Sequence, residues 1–325
     1  MSASLDIDLD ASGRQVGLVS IDSVSTPIIS LHSGDGPTLV LTAGVHGDEY
    51  EGQVALSELA RELDAGDIQG RVIIMPMVNG PACRAGERRT PIDGLNLNRA
   101  FPGKADGSFT SRLAHFIESE LYARADYAAD FHGGGTILRF LPSTLFAVTG
   151  DAEGDQRRLD LAGAFGARYC MLFGSKTMGV EVGIESAMVR QDVIGMAGEY
   201  GGSAEISADA LALCREGARR LLAHIGVVAP VPEIRQPELI DVRSDDCYVI
   251  AENEGVFEPL VQLGDFVRSS SLVARLHRPD RPDEPPHLIH ARSDGLVIAS
   301  RSLAKSSPGD WLFIIGQPVS DFTSG

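Results

Sequence analysis

The stretch Thr38-Leu39-Val40-Leu41-Thr42-Ala43-Gly44-Val45-His46-Gly47-Asp48-Glu49 decides the fold class of this chain. Its first five residues, Thr38 to Thr42, are a short apolar run between two threonines, consistent with a strand buried on both faces. Two glycines then flank a histidine, and from about Gly52 to Leu63 the spacing of Ala55, Leu59 and Leu63 predicts an amphipathic helix. Strand, glycine turn, helix is the unit of an α/β sheet. Ligand sites of such sheets lie at the carboxyl ends of the strands, where His46 and Glu49 fall. Three residues apart, the imidazole and the carboxylate can reach one ion, and together they suit Zn²⁺ while leaving positions for a third ligand and a water. Alone, H-x-x-E is common by chance.

Working outward, the same alternation continues. Arg71 to Val78 reads as a second buried strand, and Thr110 to Arg124 as a helix with Leu113, Phe116, Ile117 and Leu121 on one face. Tyr127 to Phe131, Ala167 to Phe173 and Gly195 to Tyr200 read as further strands. Ser207 is the expected N-cap of a long helix that Gly226 closes. The prediction is an α/β sheet covered on both faces over residues 1–228. The proline-rich run PVPEIRQPE marks a linker at about 229–237, and residues 238–325 carry short β-like pieces between Gly, Pro and Asp turns, a small β domain.

A second strand delivers a second histidine into glycines: Asp130-Phe131-His132-Gly133-Gly134-Gly135. A lone histidine at a strand end is usually a satisfied structural residue. Two histidines and a glutamate at the same edge of one sheet are harder to dismiss; Asp130 has two readings, a partner that orients His132 and a purely structural residue.

These segments, with Asn79-Gly80-Pro81-Ala82 and the run Ile92-Asp93-Gly94-Leu95-Asn96-Leu97-Asn98-Arg99-Ala100-Phe101-Pro102-Gly103, resemble the succinylglutamate desuccinylase/aspartoacylase family, relatives of the zinc carboxypeptidases. The motifs stand in the family's order over roughly residues 38 to 205. Gly44 to Gly52 and Arg88 to Gly94 look most like its bacterial branch of Nα-acetyl-diaminobutyrate deacetylases. The resemblance implies a zinc-carboxypeptidase-like mixed sheet. It also implies one Zn²⁺ per chain held by His46, Glu49 and His132, with a water as fourth ligand. Asn98 and Arg99 would bind the substrate carboxylate. Either Arg88 or Arg89 would polarise the scissile carbonyl, and Arg89 is favoured. Glu199, in a glycine turn after a strand, would be the general base, with Glu205 as its competitor. The implied reaction is hydrolysis of a small N-acyl amino acid, most simply an N-acetyl one. A peptide-trimming zinc carboxypeptidase and a non-catalytic binding protein are the alternatives.

The C-terminal segments Gly255 to Pro259, Gly264 to Val267 and Ala291 to Val297 look like biotinyl/lipoyl carrier barrels. No lysine stands in the hairpin such carriers modify, so the region is expected to shield or shape the active site. His277, His287 and His290 offer a second metal set but read more simply as a solvated loop.

Composition narrows the rest. With 28 Lys+Arg against 45 Asp+Glu, the net charge of −17 disfavours nucleic acid and anionic membranes as partners. Four spaced cysteines without a CxxC, an acidic N-terminus and no apolar run of membrane length lead us to expect reduced thiols and a cytoplasmic setting; oligomeric state stays open, a homo-oligomer being ordinary for a cytosolic enzyme of this size. No G-x-S-x-G, phosphate loop or dinucleotide fingerprint occurs.

Overall fold

The computed structural model describes residues 3–174, 180–232 and 236–322, so residues 233–235 of the expected linker lie outside the described part. A hairpin of Gly13–Ile21 (β1) and Val24–Ser33 (β2) is followed by Thr38–Ala43 (β3), Gly70–Met75 (β4), Tyr127–His132 (β5), Ser143–Val148 (β6), Tyr169–Gly174 (β7), Ile194–Glu199 (β8) and Glu238–Asp241 (β9). In space the order is β1-β2-β4-β3-β5-β8-β6-β7-β9, and the sheet is mixed. Strands β4, β3, β5 and β8 run parallel, β8 meets β6 antiparallel, and β6, β7 and β9 are parallel again.

Alternation along the central strands explains the layers. Leu39 and Leu41 of β3 and Val72 and Ile74 of β4 share one core with Leu56, Leu161, Phe165 and Leu221. Those partners come from helices Glu51–Glu62 (α1), Ala152–Phe165 (α4) and Ala208–His224 (α6). Val40, Ile73 and Met75 face the other way, onto Phe109, Leu113, Phe116, Ile184 and Met188. Both faces are apolar and both are covered, the condition under which parallel strands lose their polar side. Ser207 accepts a hydrogen bond from the Ala210 N–H, as its N-cap reading requires. The helix expected over Thr110 to Arg124 is α-helical only over Phe109–Phe116 (α3); a π turn at Ile117–Leu121 and a 3₁₀ turn at Tyr122–Arg124 complete it.

The sheet does not stop at the expected linker. β9 lies parallel to β7 on one side and antiparallel to Trp311–Val319 on the other, and Gly295–Arg301 follows. A separate four-stranded sheet contains Gly255–Pro259, Leu272–His277, His287–His290 and Lys305–Ser306. Phe257, Val273 and Leu276 from it pack with Val297, Leu312, Phe313 and Ile315 of the large sheet. The described C-terminal strands thus form two packed sheets and close no barrel. On Trp311–Val319, Phe313 and Ile315 face this small core, while Ile314 faces Leu145, Tyr169 and Met171. Among the described residues no helix is long and apolar enough to cross a membrane.

Candidate active site

Three neighbouring parallel strands end together. Ala43 of β3 is in register with Phe131 of β5, and His132 is in register with Glu199 of β8. The chain therefore delivers the His46 loop, His132 and Glu199 to one carboxyl edge.

His46, Glu49 and His132 are buried, and each offers a ligand atom within 4.8 Å of the others. The geometry specifies which atoms. Glu49 Oε1 lies 2.8 Å from His46 Nδ1, and Oε2 lies 3.0 Å from His132 Nδ1. The outer nitrogens are engaged elsewhere: His46 Nε2 is 3.0 Å from Asn96 Oδ1, and His132 Nε2 is 2.5 Å from Asp130 Oδ2. Asp130 is itself fixed by the Thr42 hydroxyl, which donates to Oδ1 at 2.5 Å from the in-register position on β3. Anchoring one imidazole nitrogen presents the other as a donor, the arrangement that metal-binding histidines use. Burial opposes charge on Glu49, but the two imidazoles outweigh it and hold the carboxyl below its usual range. An ionised carboxylate between two oriented imidazoles is a fitting donor set for a divalent ion.

Backbone contacts brace this loop. The Gly47 N–H donates to the Glu87 carbonyl at 2.8 Å. A Cβ on Gly47 would lie 2.0 Å from the Ala82 carbonyl oxygen, in the short helix Gly80–Ala85 (α2). That atom is backbone and cannot step aside. Gly47→Ala is therefore expected to lower stability by about 3 kcal/mol, the upper end of ordinary overpacking, and chemical denaturation measures it. Asp48, on the other side, accepts from the Thr136 N–H and hydroxyl at 2.7 and 2.9 Å, tying the glycine turn after His132 to the same loop.

Beside these residues lies a cavity of about 110 Å³. His46, Arg88, Asn98, Arg99, Glu185 and Glu199 supply its polar lining. Leu138, Phe140, Leu145, Phe173, Trp311 and Ile314 are among the apolar residues that close it. The last two come from the C-terminal strands, so this region shapes the cavity. Glu199 ends β8 with its Oε2 buried and without a hydrogen-bond partner. Burial, reinforced by the charge of Glu49, pushes its carboxyl well above the usual range. Glu205 is exposed in the turn beyond and does not line the cavity.

Of the two adjacent arginines, the structure brings Arg88 and not Arg89 to the site, correcting the favoured reading. Arg88 Nη1 lies 3.0 Å from Glu49 Oε1 and 3.3 Å from His46 Nδ1. Arg89 is exposed and donates to the Gly94 carbonyl at 3.3 Å. The Gly47–Glu87 backbone bond pins the residue before Arg88 against the His46 loop, and the next side chain turns outward. Asn98 and Arg99 come from the turn Leu97–Arg99, and Asn98 Oδ1 accepts from the Ile184 N–H at 2.8 Å. The sequence reading missed Asn96 and Glu185. Asn96 sits inside the quoted motif, but its contact with His46 spans 50 residues and follows no periodicity. His277 pairs with Glu258 at 2.7 Å, and among the described residues no second metal-ligating group forms. The four cysteines are free; burial pushes the Cys83 and Cys170 thiols up to about 12, which leaves them poor nucleophiles.

Comparison with known proteins gives one answer. Residues 35–225 match the succinylglutamate desuccinylase/aspartoacylase catalytic domain. The chain is 37% identical to N-alpha-acetyl-L-2,4-diaminobutyric acid deacetylase of Halomonas elongata, over 97% of this chain and 95% of that one. Among solved structures, a succinylglutamate desuccinylase/aspartoacylase of Rhodobacter sphaeroides superposes with TM-score 0.92 at 33% identity, covering 99% of this chain and 100% of the other. The product-bound ectoine utilization protein EutE (DoeB) of Ruegeria pomeroyi superposes with TM-score 0.91 at 35% identity, over 97% and 99%. A mixed sheet that gathers two oriented histidines, a glutamate and a carboxylate-and-arginine cavity at one edge, with relatives matched along nearly the whole chain, places this protein in the succinylglutamate desuccinylase/aspartoacylase family of amide-bond hydrolases.

Proposed function

We propose that this chain is a zinc-dependent deacylase that removes an acetyl group from the α-nitrogen of a small amino acid, of the Nα-acetyl-diaminobutyrate kind. The observation that carries the reading is Glu199, a cavity carboxylate whose buried Oε2 has no protein partner, beside an oriented His–Glu–His donor set. A relative 37% identical and named as a deacetylase of that compound supports the substrate.

His46 Nδ1, Glu49 and His132 Nδ1 would hold the ion, which supplies a Lewis acid for the acyl carbonyl and a more acidic water. Glu199 accepts a proton as the water oxygen bonds to the carbonyl carbon, then returns it to the nitrogen as the C–N bond breaks. Burial raises its proton affinity, which suits a group that must hold the proton between the two steps. Arg88 faces the developing oxyanion. Arg99 and the amide nitrogen of Asn98 receive the substrate carboxylate; the other end of that amide is committed to the Ile184 N–H. A cavity of about 110 Å³ closed by Phe140, Phe173 and Trp311 suits a small molecule better than a peptide chain.

The test incubates the purified protein, with and without a chelator, against N-acetyl and N-succinyl amino acids including Nα-acetyl-diaminobutyrate, and quantifies freed amine. Release that stops on chelation and returns with zinc is the expected result. Metal analysis should find about one zinc per chain, lost in His132→Ala. A zinc-loaded protein that releases no amine from any member would refute the reading.

A further inference from the structure

The mechanism leaves one acidic group of the cavity without a task. Glu185 is the second residue of the helix Ile184–Arg190 (α5) and lines the cavity with Arg88, Asn98, Arg99 and Glu199. Its position is tied to the carboxylate-binding turn, because Asn98 Oδ1 holds the N–H of the preceding residue, Ile184, at 2.8 Å. Among the described residues its carboxylate has no ion-pair partner; His132 and Arg99 act on it only at longer range. Burial pushes its carboxyl above the usual range, and a cation brought beside it would favour the charged form that desolvation opposes.

The charges of the cavity then sort by role. Arg88 serves the carbonyl oxygen, Arg99 the substrate carboxylate and Glu199 the water. A substrate with a second carboxylate, of the aspartate or glutamate type, would bring that group into a cavity already holding Glu185 and Glu199. A substrate whose side chain ends in an ammonium would meet a partner instead. We propose that Glu185 is the specificity-determining residue of this site, pairing with a terminal ammonium on the side chain of a short N-acetylated diamino acid. The inference rests on the deacetylase reading above and adds the residue that selects within it.

The experiment compares kcat/KM for Nα-acetyl-2,4-diaminobutyrate, Nα-acetylnorvaline and N-acetyl-aspartate. Norvaline replaces the ammonium by a methyl group of similar size. The wild-type protein is expected to favour the ammonium substrate over the norvaline one by about 100-fold, the scale for a buried charge left without its partner. Glu185→Gln should collapse that ratio to within a few-fold, and Glu185→Asp should retain part of it. A general loss of folding lowers both rates and leaves the ratio unchanged, so the ratio separates the two. Calorimetry of free 2,4-diaminobutyrate against norvaline on the wild-type protein adds a reading without turnover, with tighter binding of the diamino acid expected. Equal treatment of the ammonium and methyl substrates, preference for N-acetyl-aspartate, or a preserved ratio in Glu185→Gln would each overturn the assignment while the deacetylase reading stands. No release from any of the three, with zinc bound, would instead remove the reading on which it rests.

Discussion

Glu199→Gln is expected to lower kcat by about 10²–10⁴-fold, the usual worth of a positioned general base, while zinc content and the denaturation midpoint stay near wild type. The amide keeps the shape of the carboxylate and removes only its ability to hold a proton. Glu199 makes no hydrogen bond through Oε2 that the substitution would break, so little structural cost accompanies it. The register of β8 against β5 is backbone-made and unaffected. Steady-state kinetics with metal analysis on the same preparation checks the expectation. Near-normal turnover would remove Glu199 from the proton path, and a parallel loss of zinc would recast it as a support of the metal set.

Arg88→Ala should lower kcat/KM by about 10²–10³-fold, the scale of a lost oxyanion donor, whereas Arg89→Ala should stay within about two-fold. The contrast follows from one backbone bond. Because the Gly47 N–H is fixed on the Glu87 carbonyl, Arg88 is directed at Glu49 and His46, and Arg89 is left on the outer surface with a single carbonyl partner. The two substitutions remove the same side chain one position apart, so a general effect of lost positive charge would strike both. Comparable losses in the two variants would refute the division of roles.

Much of this was legible from local pattern. The apolar runs of β3, β4 and β5 announce themselves because both faces are buried, and the glycine turns after them mark where functional side chains emerge. The three candidate ligands needed only that the strands share an edge, which parallel α/β topology supplies. Other elements hid their signal. Helix α4 turns Asp155 and Arg158 inward, where they pair at 3.1 Å and Asp155 accepts from the Thr149 and Gly150 N–H groups, so the apolar stripe that would announce a helix is broken. The orientations of Arg88 and Arg89, the grip of Asn96 on His46 and the tie from Asn98 to α5 join residues distant in sequence or differing only in loop direction, which periodicity does not encode. The described C-terminal strands close no barrel: short strands with glycine turns suit a barrel and a pair of packed sheets alike, and the strand pairing that separates them is not carried by local pattern.

The pairing of Trp311–Val319 with β9 sets an order of events during synthesis. The carboxyl edge with His46, His132 and Glu199 can assemble from the first 200 residues, yet Trp311 and Ile314 reach the cavity only after a further hundred have been added. Until then Leu145, Tyr169 and Met171 present an uncovered apolar surface, and β9 offers an open strand edge. A chain halted just before residue 311 would carry all its proposed catalytic side chains and still lack the wall that Trp311 and Ile314 supply. The nascent protein is thus incomplete as a catalyst, and exposed to wrong partners, until one of its last strands docks.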